Sequence, residues 1–225
     1  MSEKKVQDTE QDELVRSARG FWEKNSKLVL IISSAIIVLA GGYLGYKYFI
    51  QLPKEEKAQE EIFKAEAYFR KDSLSLALNG DVSTSGFLKM IKKYDGTKTG
   101  NLAKLYAGEC YLQLGDFNNA VKYLKDFNAN GAKQVEAKVA GLLGDAYSEL
   151  KKSEEAISSY KKAGTLFEYD QSLSSEYLFR AGLLSELSGK TKEAAEMYKQ
   201  IKEKYPKSEK GFLVDKYLAR LGVNE

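Results

Sequence analysis

No histidine occurs anywhere in the 225 residues. That absence removes imidazole metal ligands, serine–histidine and cysteine–histidine nucleophile pairs, and a histidine-based pH switch. Cys110 is the sole cysteine, so the chain can form neither an internal disulfide nor a zinc cluster. It falls mid-helix and reads as a buried, inert thiol. Only Pro53 and Pro206 interrupt long stretches otherwise free to be helical. Neither sign of charge is in excess. The 35 Lys and Arg face 32 Asp and Glu, a net +3 that gives no footprint for nucleic acid. The carboxylate pairs Glu60-Glu61 and Glu154-Glu155 are sequence neighbours, which diverge around a helix and read as solvated faces. Gly80, Gly86, Gly96 and Gly100 match no phosphate-cradling spacing. No catalytic, cofactor or metal-binding set emerges, and the inventory favours a binding or structural role.

What is present begins with one apolar run. Leu28 to Tyr46 carries no charge and no proline. At ~1.5 Å per residue it makes a rod of roughly 28 Å, close to the hydrocarbon thickness of a bilayer. It exceeds a signal-peptide core in length, and an uncleaved anchor is expected, over residues 28–49. Gly41 and Gly45 stand four apart in its second half. They mark either a helix-packing face or a lipid-facing one. Ser33 and Ser34 can satisfy their hydroxyls one turn back and need no partner. Arg16, Arg19, Lys24 and Lys27 precede the run, and Lys47, Lys54 and Lys57 follow it. This bias places the N-terminus in the cytoplasm and the long remainder across the membrane.

Residues 1–27 form a polar tail. Within it Leu14, Val15, Ala18, Phe21 and Trp22 recur at helical spacing between charged residues, as in an amphipathic helix lying among lipid headgroups. The plainer reading of Phe21 and Trp22 is an aromatic belt where the spanning helix enters the interface. After the anchor, residues 50–100 read as a linker helix and a degenerate first repeat with a lengthened turn, whose signals are Asn79-Gly80-Asp81 and Ser83 to Gly86. Ala58, Ile62, Ala65 and Phe69 share one face there, and Phe87 to Tyr94 form a short helix.

From Asn101 to the end, residues 101–225, the chain repeats. Gly108, Gly144 and Gly182 are each followed twelve residues later by Ala120, Ala156 and Ala194. Leu124, Tyr160 and Tyr198 follow those alanines by four. Gly115, Lys151 and Gly189 mark the turn between paired helices, and Pro206 closes the third unit. Gly, Ala and a large residue at these places resemble the tetratricopeptide repeat, giving an all-α solenoid behind one transmembrane helix. The spacing predicts that Gly108 faces Ala120, that the large residue fills the gap to the next unit, and that Asp116, Ser153 and Thr191 cap the second helices. Lys93-Tyr94, Thr97, Gly100 and Leu102 are echoed 111 residues later by Lys204-Tyr205, Ser208, Gly211 and Leu213. A capping helix is therefore expected from Lys210 to Leu221.

The working surface of such an array is its concave face, lined by the first helix of each pair. By register it comprises Leu102, Leu105, Tyr106, Glu109 and Leu112, then Leu142, Asp145 and Glu149, then Phe179, Leu183 and Glu186. This mixed apolar and acidic surface suits an extended or helical protein segment. Alternatively, several of its apolar residues contact the first unit or the cap.

Two segments are more specific. Arg19-x-Phe21-Trp22-Glu23-Lys24-Asn25-Ser26-Lys27 before the anchor, and Gly45-Tyr46-Lys47-Tyr48-Phe49 at its end, resemble the YfgM family; Gly100 to Leu124 resembles that family's first clear repeat. The resemblance implies a bacterial inner-membrane protein with a periplasmic repeat domain, an ancillary subunit of the SecYEG translocon. It implies as partners a membrane-anchored chaperone of the PpiD type and emerging or unfolded secreted segments, with membrane lipid around the anchor. A repeat scaffold for envelope or cell-wall assembly, unrelated to translocation, is the alternative.

Overall fold

The computed structural model describes the backbone of residues 2–223 and the side chains of residues 15, 16 and 18–223. The chain divides into two compact units, Met1–Pro53 and Lys54–Glu225. Among the described residues there is no strand, only an isolated bridge between Gly80 and Ser85.

The first unit is built on α1 (Ser2–Tyr46). From Leu28 onward its apolar side chains are exposed on every side, Leu30, Ile31, Ile37, Val38 and Leu39 among them. A helix apolar all round and covered by no protein is stable only in a nonaqueous surrounding. Among the described residues the helical run Ala18–Arg70 alone is long and apolar enough to cross a membrane, with a mean hydropathy of 2.3 in its most apolar window. The expected interfacial helix is not a separate element. Val15, Ala18, Phe21 and Trp22 lie exposed on the same unbroken α1 as the apolar segment, because nothing between Arg16 and Lys27 breaks a helix. The side chain of Leu14 lies outside the described residues. The aromatic-belt reading of Phe21 and Trp22 fits this continuity. After α1, Lys47–Gln51 form a π-helical turn in which the N–H of Leu52 donates to the carbonyl of Lys47. Pro53 offers no N–H and its ring crowds the carbonyl of Phe49, so the wider turn absorbs a defect that an α-turn could not.

The second unit is a series of helix pairs. They are α2 (Leu52–Arg70) with α3 (Leu74–Asn79) and α4 (Phe87–Lys93), α5 (Lys98–Gln113) with α6 (Phe117–Asp126), α7 (Lys133–Glu149) with α8 (Ser153–Leu166), and α9 (Gln171–Leu187) with α10 (Thr191–Lys204). The short α11 (Val214–Arg220) follows. Each pair turns the same way. Asp72, Gly115, Lys151 and Gly189 are left-handed, with φ of 58°, 80°, 59° and 77°. The next N–H in each turn reaches five residues back, as Asp116 to Tyr111, Lys152 to Tyr147 and Lys190 to Ser185. This is the Schellman arrangement, which satisfies the orphan carbonyls of the first helix and reverses the chain.

The structure sharpens or alters several sequence expectations. The turn after α2 matches the others at Asp72, and the longer loop of the first repeat lies where its turn signals stand. It is an insertion, residues 80–86, that splits the second helix into α3 and α4. Gly108 and Gly182 meet the large residue of the facing helix most closely. A Cβ on either would lie 2.6 Å from the side chain of Leu124 or Tyr198, and Gly144 stands likewise against Tyr160. The large residue closes its own pair and, as the spacing suggests, also reaches the next unit: Leu124 packs with Val139, Tyr160 stacks on Tyr177 at 6.2 Å, and Tyr198 lies 5.4 Å from Tyr217. Asp116 does cap α6, accepting the N–H of Asn119, but Lys152 and Lys190 occupy that place ahead of α8 and α10, without a side-chain cap; Ser153 and Thr191 are already the first helical residues. The final helix begins at Val214, four residues later than the spacing suggests.

The echo across 111 residues is borne out in hydrogen bonds. Thr97 Oγ1 donates to the Tyr94 carbonyl and accepts the N–H of Gly100; Ser208 Oγ does the same between Tyr205 and Gly211.

Candidate functional site

Side-chain ion pairs join the successive first helices α5, α7, α9 and α11, and the sequence-predicted groove residues sit on α5, α7 and α9. They do not all remain available. Leu105 is buried against Leu124 and Val139. Tyr106 is half-buried, stacked on Phe87 at 5.0 Å and edge-on to Phe69 at 5.3 Å. Phe179 is buried against Tyr198 and, at 4.8 Å, the ring of Tyr217 in α11. These three close joints within and between units, as the alternative reading has it. Leu102, Leu112, Leu142 and Leu183 remain half-buried, and Glu149 is exposed.

The acidic residues are present as read, but they are not available as an acidic surface. Glu109 is buried with its carboxylate 2.7 Å from Lys138 Nζ. Asp145 Oδ1 accepts from Arg180 Nη1 at 2.8 Å and from the Tyr160 hydroxyl at 2.7 Å. Glu186 Oε2 accepts from Arg220 Nη2 at 2.7 Å. Glu176, absent from the predicted set, pairs with Arg180 at 2.7 Å and Lys210 at 3.2 Å. In each inter-helix pair the base belongs to the following first helix or to the turn leading into it. Burial raises the carboxyl of Glu176, but the Arg180 and Lys210 bonds outweigh it and hold the group below its ordinary range.

Such pairs have a sequence signal, which is opposite charge at one repeat period. Asp145 and Arg180 are 35 apart, Glu186 and Arg220 are 34 apart, and Glu154–Lys190 and Glu168–Lys204 are each 36 apart. Stacking identical units brings residues one period apart into contact, so this spacing could have revealed the ladder.

At the start of the array lies a hollow of about 390 Å³ between α2 and α5. It is lined by Glu55, Gln59, Ile62, Phe63, Glu66, Lys98, Thr99 and Leu102. Phe63, which sequence reasoning missed, is 64% exposed at its edge. Glu55 is spent on structure. Its carboxylate accepts the N–H of Lys98 at 2.6 Å, the N–H of Thr99 at 3.0 Å and the Thr99 hydroxyl, capping α5 from a neighbouring helix. Burial raises this carboxyl, and those bonds overcome it and lower it. Larger hollows lie elsewhere, one of about 560 Å³ beside the loop after α6 and one of about 650 Å³ at α10 and α11.

Cys110 is fully buried, and burial pushes its thiol up to about 12. Among the described residues no group of three or more His, Cys, Asp and Glu could hold a metal ion. Around Gly41 and Gly45 an added Cβ would meet nothing within 4 Å, so that face is open.

Comparison with known proteins agrees with this geometry. A family model described as a tetratricopeptide repeat-like domain matches residues 19–213. No curated protein matches. Among solved structures the chain is similar to one described as the crystal structure of MamA protein, with a TM-score of 0.53 and 19% identity, covering 74% of this chain and 77% of that one. At that identity the likeness is one of fold.

Proposed function

Because this chain belongs to the tetratricopeptide repeat-like family, whose repeats hold protein partners, we propose that it is a membrane-anchored, non-catalytic adaptor whose first-helix face binds another polypeptide. One observation carries the reading: an uncovered apolar helix and a stack of helix pairs occur in one chain. The helix supplies location and the repeats supply binding.

The finer reading places the protein at the exit side of the SecYEG channel in a bacterial inner membrane. The N-terminus lies in the cytoplasm and the repeats in the periplasm, holding a PpiD-like chaperone or emerging secreted segments. Its support is the pair of flanking segments, Arg19 to Lys27 and Gly45 to Phe49, which resemble the YfgM family. Gly41 and Gly45 would be the docking face within the membrane.

The experiment is an anchor exchange. Residues 1–49 are replaced by an unrelated single-span anchor, and co-purification with the channel is measured in mild detergent. Loss of the channel with retention of the chaperone supports the finer reading. Unchanged co-purification contradicts docking by the anchor, and no association in either form favours a scaffold for envelope assembly.

A further inference from the structure

The sequence presents the first-helix face as partly acidic, which would favour a basic partner. The structure removes that reason. Glu109, Asp145, Glu176 and Glu186 each hold a cation from a neighbouring first helix or its lead-in turn. Glu66 is paired with Arg70 at 3.3 Å, and Glu55 is occupied by α5. Of the carboxylates the sequence assigns to this face, Glu149 alone sits exposed outside these pairs. What the face still offers is apolar: exposed Phe63 and half-buried Leu102 at the 390 Å³ hollow, with Ile62 buried behind them, then Leu142 and Leu183 half-buried along the array.

Resting on the reading of this face as a protein-binding surface, we propose that it takes an uncharged, apolar segment of a non-native polypeptide. One large aliphatic or aromatic side chain of that segment seats in the hollow between α2 and α5. The carboxylates bind the array to itself and exclude competing basic tails. A lysine entering this face would have to displace a cation already held at 2.7–3.2 Å, or stand desolvated beside it. An apolar segment meets no such cost and covers the exposed edge of Phe63, whose ring has the Arg70 guanidinium over it at 5.4 Å. The hollow's size fits a side chain, not a folded domain. Selection is therefore by hydrophobicity, with charge acting only to reject.

The test uses the full chain in nanodiscs, with empty nanodiscs subtracted, and two fluorescein-labelled twelve-residue peptides. Both share the same Leu and Phe positions. One carries Ser and Gln between them, the other Lys. Anisotropy titrations are run at low and high NaCl. The neutral peptide is expected to bind at least as tightly as the lysine peptide, with less than a roughly threefold change across salt, since apolar burial is not screened. Phe63→Ala should weaken the neutral peptide by about fivefold or more. The double variant Lys138→Ala/Arg180→Ala frees Glu109 and Asp145 of their cations, while Glu176 keeps Lys210, and should gain affinity for the lysine peptide by roughly tenfold, lost again in high salt. Circular dichroism confirms that each variant is folded. A wild-type preference for the lysine peptide that collapses with salt, or binding indifferent to Phe63→Ala, overturns this inference while leaving a protein-binding face intact. Failure of both peptides to bind overturns the binding reading itself.

Discussion

Tyr198 occupies the space beside Gly182 so closely that a Cβ there would lie 2.6 Å from its ring. The pairs α9–α10, α7–α8 and α5–α6 are closed the same way, with a glycine on the first helix and a large residue on the second. In an ordinary helix interior, Gly→Ala is favourable by about 0.5–1 kcal/mol. At Gly182 it is expected to cost about 1–3 kcal/mol, because Tyr198 is fully buried and cannot swing away. Urea unfolding followed by circular dichroism measures the difference, and the sign decides it.

Lys151 stands in the left-handed conformation that Gly115 and Gly189 adopt in the sister turns. A side chain there clashes with the following carbonyl, a strain of roughly 1 kcal/mol that glycine does not bear. Lys151→Gly is expected to stabilise the fold by about 0.5–1 kcal/mol, read as a higher urea midpoint. A lower midpoint would mean that the lysine side chain contributes more than the turn loses.

Acid should loosen the contact where α2 meets α5. Burial raises the Glu55 carboxyl, and its bonds to Lys98 and Thr99 more than reverse that, leaving it below its ordinary value of 4.5. A lowered folded-state value means the stabilisation is complete above the ordinary value. It is lost as pH falls through the folded one. Amide exchange in the first turn of α5 should therefore accelerate as pH drops below about 4, beyond the intrinsic trend. Glu55→Gln should already be loose at neutral pH and show little further change.

Burial and the neighbouring Glu109 push the Cys110 thiol up to about 12, with burial the larger cause. A thiol held protonated and out of solvent does not react. Ellman's reagent should find no thiol in the folded chain and one equivalent in urea. Fast labelling of the folded form would show that α5 opens locally.

The parts of this structure legible in the sequence are those that repeat. Gly108, Gly144 and Gly182 announced the pairs, and Tyr94 with Thr97 and Tyr205 with Ser208 announced matching turns, because identical local packing demands identical residues. Less legible was what each residue touches. Gly182 meets Tyr198 most closely, four residues beyond Ala194, since two neighbours on the same facing helix serve equally well in a spacing argument. The groove acids were placed correctly on their helices. Their partners one period away were not considered, so a ladder of paired charges read as an acidic surface. The loop at residues 80–86 was legible in its turn residues, while α3 ahead of it was not, because Asp72 is an unusual occupant for a left-handed turn and hid the boundary that glycine marks elsewhere.

The central claim, that the first-helix face of an anchored array binds polypeptide, is tested most directly by site-specific photocrosslinking in intact membranes. A benzophenone amino acid is placed at Phe63 on α2 and, separately, at Glu196, exposed on α10. The account predicts discrete protein adducts from position 63 and none from position 196. Equal adducts from both positions, or none from position 63, would contradict it.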